Sequence, residues 1–132
     1  MKNWIVFISL LLPLFCNAQY RGNIWCFGDS AGIDFNTLSN PVPIGTSLRT
    51  RGSCASIADT LGQLLFYAND RTNTAGDYTT LVYNSQHEIM PNGDSIIGEG
   101  WYNEMVILPM PENDSLYYLF CVSTVLGPKG LY

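Results

Sequence analysis

A strand–turn–strand unit occurs twice in this chain, about fifty residues apart, and this repeat constrains the fold more than any other feature. In the first copy, apolar stretches at residues 54–59 and 64–69 flank a short polar turn. In the second copy, residues 105–109 and 116–122 flank a turn at 110–115 that is a few residues longer. Short strands with this period are typical of propeller blades rather than of a single β-sandwich. The sequence therefore predicts an all-β fold built from blade-like units.

The first eighteen residues have the pattern of a cleaved signal peptide. Lys2 supplies the positive charge, and residues 5–15 form an apolar stretch that is too short to span a bilayer. Cys16 and Ala18 place small residues at the −3 and −1 positions, so we expect cleavage before Gln19. An uncleaved anchor is the alternative. The mature chain is therefore expected to be exported, secreted or held at the cell surface, with no membrane span.

The mature chain divides into two predicted regions. Residues 19–51 contain strands at 23–27 and 33–35 and then a loop rich in Pro and Gly, and we expect this region to supply an outer strand that closes a ring. Residues 52–132 contain the first blade and the start of the second. The four strands of the first blade are placed at residues 53–59, 64–69, 79–83 and 87–90. A turn follows at 91–93, in which Gly93 is expected to take a positive φ.

The predicted fold is thus a partial β-propeller of about one to two four-stranded antiparallel blades, preceded by a signal peptide. A turn at residues 127–130 is followed by Leu131 and Tyr132, which begin another apolar run. We therefore expect the sequence to be an N-terminal fragment, with the remaining blades downstream.

The charge balance excludes some partners. The chain has 11 acidic and 6 basic residues and a formal net charge of −5. Because it has no cluster of Lys and Arg to displace counterions, we expect neither nucleic acid nor an anionic membrane surface as a partner.

Three cysteines follow the signal peptide: Cys26, Cys54 and Cys121. In an oxidising compartment one pair can form, and the candidate pair is Cys54 with Cys121, because both lie on the repeated hairpins. The alternative is that all three are small apolar residues buried in strands. Their spacing does not match a zinc site.

No residue pattern predicts catalysis. His87 is the only histidine, and one histidine cannot build a His-based metal site or a catalytic triad. Calcium is a candidate cofactor because several aspartates can supply oxygen ligands and two of them share the loop at residues 69–77, although their spacing is not that of a calcium loop and turn aspartates commonly bond their own backbone. These aspartates are Asp29, Asp34, Asp59, Asp70 and Asp77. Trp101 and Tyr102 suggest a sugar-stacking platform, with ordinary strand packing as the alternative.

Four separated motifs resemble the N-terminal region of large exported proteins of gliding Gram-negative bacteria. The motifs lie at residues 23–35, 62–67, 87–93 and 116–120. This resemblance implies a WD40-like propeller region, PKD-type or Ig-like modules, and a C-terminal type IX secretion signal in the complete protein. The family has no general catalytic assignment. Cys26 stands where the family often has an aromatic residue.

The expected function is therefore that of a non-enzymatic surface or secreted propeller module, an interaction scaffold in adhesion or gliding whose protein or glycan partner is unknown. One alternative is a polysaccharide-active hydrolase or lyase on a propeller, which needs two carboxylates converging in one pocket. The acidic residues available for that role are Asp59, Asp70, Glu99 and Glu104. Another alternative is a small β-sandwich adhesin, which predicts a stable monomer.

Four hydroxyl residues follow an aspartate and precede an aliphatic residue or alanine, which resembles the O-glycosylation acceptor of related bacteria. They are Ser30, Thr60, Ser95 and Ser115. The alternative is ordinary turn chemistry. We expect protein from the native host to be heavier than the bare polypeptide that begins at Gln19, and alanine variants at these positions to lose the excess. An intact mass equal to that of the bare polypeptide would contradict the prediction.

Overall fold

The computed structural model describes residues 20–50, 52–70, 79–94, 96–98, 104–123 and 130–131. Across these residues the chain forms ten strands in three antiparallel sheets, preceded by a 3-10 helix at Tyr20–Gly22. No α-helix occurs in this part of the chain. The prediction of an all-β fold is confirmed, and the three sheets do not form a closed propeller.

Each sheet is a meander in which chain neighbours pair with each other. Sheet 1 contains β1 (Ile24–Phe27), β2 (Ala31–Asp34) and β3 (Val42–Gly45). Sheet 2 contains β4 (Cys54–Ala58), β5 (Leu64–Asn69), β6 (Thr79–Asn84) and β7 (Ile96–Ile97). Sheet 3 contains β8 (Met105–Met110), β9 (Asn113–Ser123) and β10 (Gly130–Leu131).

Sheet 1 differs from the prediction because it includes a third strand. Residues 42–45 lie in the stretch predicted as a loop, yet β3 pairs with β2 along its whole length, from Asp34 opposite Val42 to Ala31 opposite Gly45. Pro43 argued against a strand because proline has no N–H to donate to a ladder. Proline is nevertheless tolerated in a strand at the edge of a sheet. β3 lies at such an edge.

The fourth strand of sheet 2 is also not where it was predicted. Residues 87–90 form no strand, and Ile89 makes only an isolated bridge with Tyr83. His87 has a φ of 66°, which interrupts the extended backbone. The fourth strand is instead β7, which pairs with Thr79 and Thr80 at the beginning of β6.

The turn at residues 91–93 uses its glycine differently from the prediction. Asn92, not Gly93, has the positive φ, at 60°. Gly93 lies against β6, where an added Cβ would be 3.0 Å from the carbonyl oxygen of Val82. The Val82 N–H donates to the Gly93 carbonyl at 2.8 Å. Glycine is therefore needed here for close approach to the strand.

The second hairpin has a tighter turn than the predicted one at residues 110–115. β8 continues to Met110 and β9 begins at Asn113, so only two residues connect the strands. Glu112 takes a φ of 62°, and the pairing register shifts between Pro109 and Met110. The polar residues that suggested a longer turn therefore lie in a bulge at the start of β9.

The core lies on both sides of sheet 2. On β5 and β6, neighbouring side chains point to opposite faces, and Tyr67, Ala68, Val82 and Tyr83 are all buried. On one side, cluster 1 joins sheet 2 to sheet 1; its buried members are Ile24, Cys26, Leu48, Ala58, Tyr67 and Tyr83. On the other side, cluster 2 joins sheet 2 to sheet 3; its buried members are Ala68, Val82, Met105 and Cys121.

The edge of β1 that does not pair with β2 lies against β4. Ser56 accepts a hydrogen bond from the Cys26 N–H at 3.2 Å and donates one to the Ile24 carbonyl at 2.7 Å. The Cys54 thiol donates to the Cys26 carbonyl at 3.3 Å. Side chains of β4 thus satisfy backbone groups that another strand would otherwise pair with.

We expect Ser56→Ala to lower the free energy of unfolding by about 1–2 kcal/mol, because it leaves an N–H and a carbonyl of β1 without their partner. Urea denaturation measures the change. Ser39→Ala, in an exposed turn, is the matched control and should change stability by less than about 0.5 kcal/mol. Equal stability of the two variants would show that β1 does not depend on this contact.

Candidate interaction surface

The side of sheet 3 that faces away from sheet 2 is apolar. Three cross-strand pairs form it: Val106 with Phe120, Leu108 with Tyr118, and Val122 with Leu131. We call these six residues the outer face. None of them is charged, and the rings of Tyr118 and Phe120 stack with their centroids 5.9 Å apart.

The outer face is substantially exposed. Val106 is 43% exposed, Leu108 47%, Tyr118 44% and Leu131 66%. The opposite side of the same sheet presents Met105 and Cys121 to cluster 2. An antiparallel sheet with one solvated face normally alternates apolar and polar residues, and sheet 3 does not. A contiguous apolar face of this kind is typical of a surface that another layer covers.

An apolar groove opens between sheets 2 and 3, next to the outer end of cluster 2. Its volume is about 220 Å³, and it is lined by Phe66, Val82, residues 90–93, Ile96, Tyr117 and Leu119. The rings of Phe66 and Tyr117 meet edge to face at 5.3 Å. No charged side chain lines the groove. Its chemistry suits a small apolar group and offers no acid–base pair.

A buried arginine ties the N-terminal turn to β9. The Arg21 guanidinium donates to the Asp114 carboxylate at 2.6 Å and to the Tyr117 hydroxyl at 2.9 Å. Arg21 is 8% exposed, whereas the Asp114 side chain is 88% exposed. Sequence reasoning missed this contact because more than ninety residues separate the partners and no local pattern links them.

The candidate glycosylation residues lie at separate places on the surface. Ser30, Thr60 and Ser115 are exposed, and Ser95 lies outside the described residues. Thr60 occupies a turn in which the Asp59 carboxylate accepts hydrogen bonds from two backbone N–H groups, as the turn-chemistry alternative predicts. Ser115 lies in β9 rather than in the predicted turn. Glycosylation at these residues stays a prediction.

The candidate disulfide between Cys54 and Cys121 is not formed in the structure, where the cysteines are thiols. Cys54 packs against cluster 1, and Cys121 belongs to cluster 2. The Cys121 thiol donates to the Ile97 carbonyl at 3.2 Å. Sheet 2 separates the two clusters, a relation that the hairpin repeat does not reveal, and the pairing stays a prediction.

The single histidine makes a structural contact. A ring nitrogen of exposed His87, Nδ1, lies 2.8 Å from the Tyr67 hydroxyl, which also accepts a hydrogen bond from the Ser47 N–H at 3.0 Å. Burial raises the pKa of Tyr67 and favours its neutral form. Trp101, Tyr102, Asp77 and Glu99 lie outside the described residues, so the sugar-stacking prediction and part of the calcium prediction stay open.

Among the residues that the structure describes, no group of three or more metal-ligating side chains occurs. In the same residues no helix is long and apolar enough to cross a membrane. No family model, curated protein or solved structure matches the chain.

Burial of a thiol gives the protein a defined response to alkali. Desolvation raises the pKa of Cys26 from 9.0 to about 11. Between these values the unfolded chain has lost the thiol proton while the folded chain still holds it, so stability is complete below pH 9 and falls as the pH rises. Two pH units correspond to a loss of up to about 2–3 kcal/mol.

Under reducing conditions we therefore expect Cys26→Ala to lose less stability between about pH 8.5 and 10.5 than the wild type does. Urea denaturation at the two pH values measures the difference. Burial also raises the pKa of Cys54, Cys121, Tyr67 and Tyr83, and these four groups are present in both proteins. Equal losses in the wild type and the variant would contradict the prediction.

Proposed function

We propose that this chain is part of an exported β-propeller-type module, secreted or held at the cell surface, which acts as a non-enzymatic interaction scaffold. The observation that carries the proposal is the outer face of sheet 3, where a six-residue apolar surface lies on a sheet whose other side is already packed. A solvated sandwich or enzyme surface gives no reason for such a face.

The relation between sheets 2 and 3 supports a propeller arrangement. Both are meanders whose strands pair in chain order, and they pack face to face through cluster 2. The first strands of the two sheets start side by side, since the Glu104 N–H donates to the Ser53 hydroxyl at 3.0 Å. Successive blades of a propeller are meanders related in this way around an axis.

In the same proposal, sheet 1 lies near the point where the ring of blades closes. The side turned away from cluster 1 presents Trp25 and Phe27, which are 52% and 37% exposed. Trp25 also contacts Phe35, with their ring centroids 5.0 Å apart. Within the described residues, the three-sheet stack therefore has an aromatic side at one end and an apolar face at the other that no further layer covers. In a propeller, both would be surfaces between blades.

The proposed scaffold works through packing and surface contact. Of the acidic residues that were candidates for an enzymatic role, Asp59 organises a turn, the backbone N–H groups of Asp70 and Glu104 both donate to Ser53, and Glu99 lies outside the described residues. The groove between sheets 2 and 3 is apolar, which suits a hydrophobic side chain of a partner better than a sugar or a charged substrate.

The test places a photo-crosslinking amino acid, p-benzoylphenylalanine, at Tyr118 in cells that export the protein. We expect efficient crosslinking from position 118, because the proposal has a polypeptide layer covering the outer face. The matched control is the same substitution at Leu38, which is 81% exposed in a turn and should react little. Mass spectrometry of the product identifies the covering segment as the same polypeptide, a second copy or another protein.

A charged substitution on the outer face provides a second test of whether that face is covered. Leu108→Lys should lower the amount of folded exported protein several-fold, because a covered face would bury an unpaired ammonium group. Leu38→Lys should leave that amount unchanged. If position 118 does not crosslink and Leu108→Lys is tolerated like Leu38→Lys, the outer face is a solvent surface and the propeller scaffold is wrong.

A further inference from the structure

Two cysteines from different sheets meet inside cluster 1. Cys26 is 4% exposed on the inward side of β1, and half-buried Cys54 packs against the same cluster from β4. The Cys54 sulfur lies 3.3 Å from the Cys26 carbonyl oxygen. It also accepts a hydrogen bond from the Gly28 backbone. Cys54 is therefore held at the end of β1 from two sides.

This placement brings the Cys54 sulfur close to the backbone of Cys26. A carbonyl oxygen lies about 2.4 Å from its own Cα, so the Cys54 sulfur is at most about 5.7 Å from the Cys26 Cα. Both cysteines are free thiols in the structure, and a disulfide requires their sulfurs to approach to about 2.05 Å. Bond formation requires the Cys54 side chain to rotate away from the carbonyl towards the Cys26 sulfur, while Ser56 holds the two strands side by side.

We propose that Cys26 and Cys54 form a disulfide bond when the chain folds in an oxidising compartment, and that this bond joins sheet 1 covalently to sheet 2. Cys121 takes no part, because it lies in cluster 2 on the other side of sheet 2. The bond crosslinks β1 to β4, the two strands that otherwise meet through the side-chain hydrogen bonds of Ser56 and Cys54.

The chemistry is thiol–disulfide exchange with a disulfide oxidant such as oxidised glutathione. The Cys54 thiolate, the more accessible of the two, attacks the oxidant, forms a mixed disulfide and releases one glutathione thiolate. The Cys26 thiolate then attacks the Cys54 sulfur and releases the second glutathione thiolate. Two protein thiols lose two protons and two electrons, and the oxidant becomes two thiols.

Because both thiols are buried in the folded protein, the rate of their oxidation depends on whether it occurs before or after folding. Desolvation raises the pKa of both Cys26 and Cys54, so the folded protein holds very little thiolate near neutral pH. Oxidation is therefore expected to be fast during refolding and slow once cluster 1 has closed.

The first test is peptide mapping of the full chain in a Cys16→Ser background, refolded from urea in a glutathione buffer. Trypsin places the three cysteines on three different peptides, residues 22–49, 52–71 and 72–129. We expect a non-reduced species that joins 22–49 to 52–71, with a mass about 2 Da below the sum of the reduced peptides. Material exported by cells is mapped in parallel.

Variants separate this pairing from the others. Cys26→Ser and Cys54→Ser should each abolish the linked species, and the matched control Cys121→Ser should retain it. Reduction should lower the Tm of the wild type and of Cys121→Ser by roughly 10 °C, because it releases the loop between the two cysteines. Refolding in the presence of oxidant should give faster linkage than oxidation of the folded reduced protein.

The disulfide rests on the proposed function only in requiring an oxidising compartment. The glutathione experiment supplies the oxidant directly and is independent of export. A link between 22–49 and 52–71 in glutathione supports the disulfide even where the protein is not exported. A link between 52–71 and 72–129 would overturn it in favour of Cys54 with Cys121. No link in either preparation would also overturn it.

Discussion

Sheet 2 is apolar on both of its faces, and a sheet of this kind is stable only when a layer covers each face. Consecutive residues on β5, Tyr67 and Ala68, are both completely buried although they point in opposite directions. Sheet 1 covers the Tyr67 side and sheet 3 covers the Ala68 side. The order of the three layers therefore follows from the burial required by the middle one, and the positions of the other two sheets depend on it.

The two contacts of sheet 2 differ in kind. Towards sheet 3, two meanders pack face to face and their first strands begin side by side. Towards sheet 1, the free edge of β1 also lies against β4, and the hydroxyl of Ser56 replaces a missing strand by bonding both Cys26 and Ile24. A small polar group is needed at this junction because buried backbone N–H and carbonyl groups are costly without partners. The Arg21 contact with Asp114 then connects the turn before β1 to sheet 3.

Sheet 3 extends the pattern of sheet 2 by one more layer. It has the same apolar composition on both sides, but only one side is covered within the described residues. This is the physical basis of the proposed scaffold: the outer face has the character of an internal surface. The cysteine pair between β1 and β4 would strengthen the other end of the stack, where side-chain contacts rather than a ladder hold an edge strand.

Local sequence determined the parts of this protein that depend on neighbouring residues. The strand predicted at residues 23–27 matches β1, and the repeated hairpins predicted β4, β5, β8 and β9. It failed at β3, β7 and the turn after β8, where proline, a positive φ or a bulge breaks the simple pattern.

The relations between sheets were decided only by the tertiary structure. The apolar residues of β8 and β9 were visible in the sequence, but whether each side is covered depends on which sheet packs against it. In the same way, both hairpin cysteines looked equivalent, yet Cys54 and Cys121 lie on opposite sides of sheet 2. The alternation of residues along a strand shows which side chains share a face, but it does not show which sheet packs against that face. The packing sheet is distant in the chain, and the burial of whole surfaces selects it.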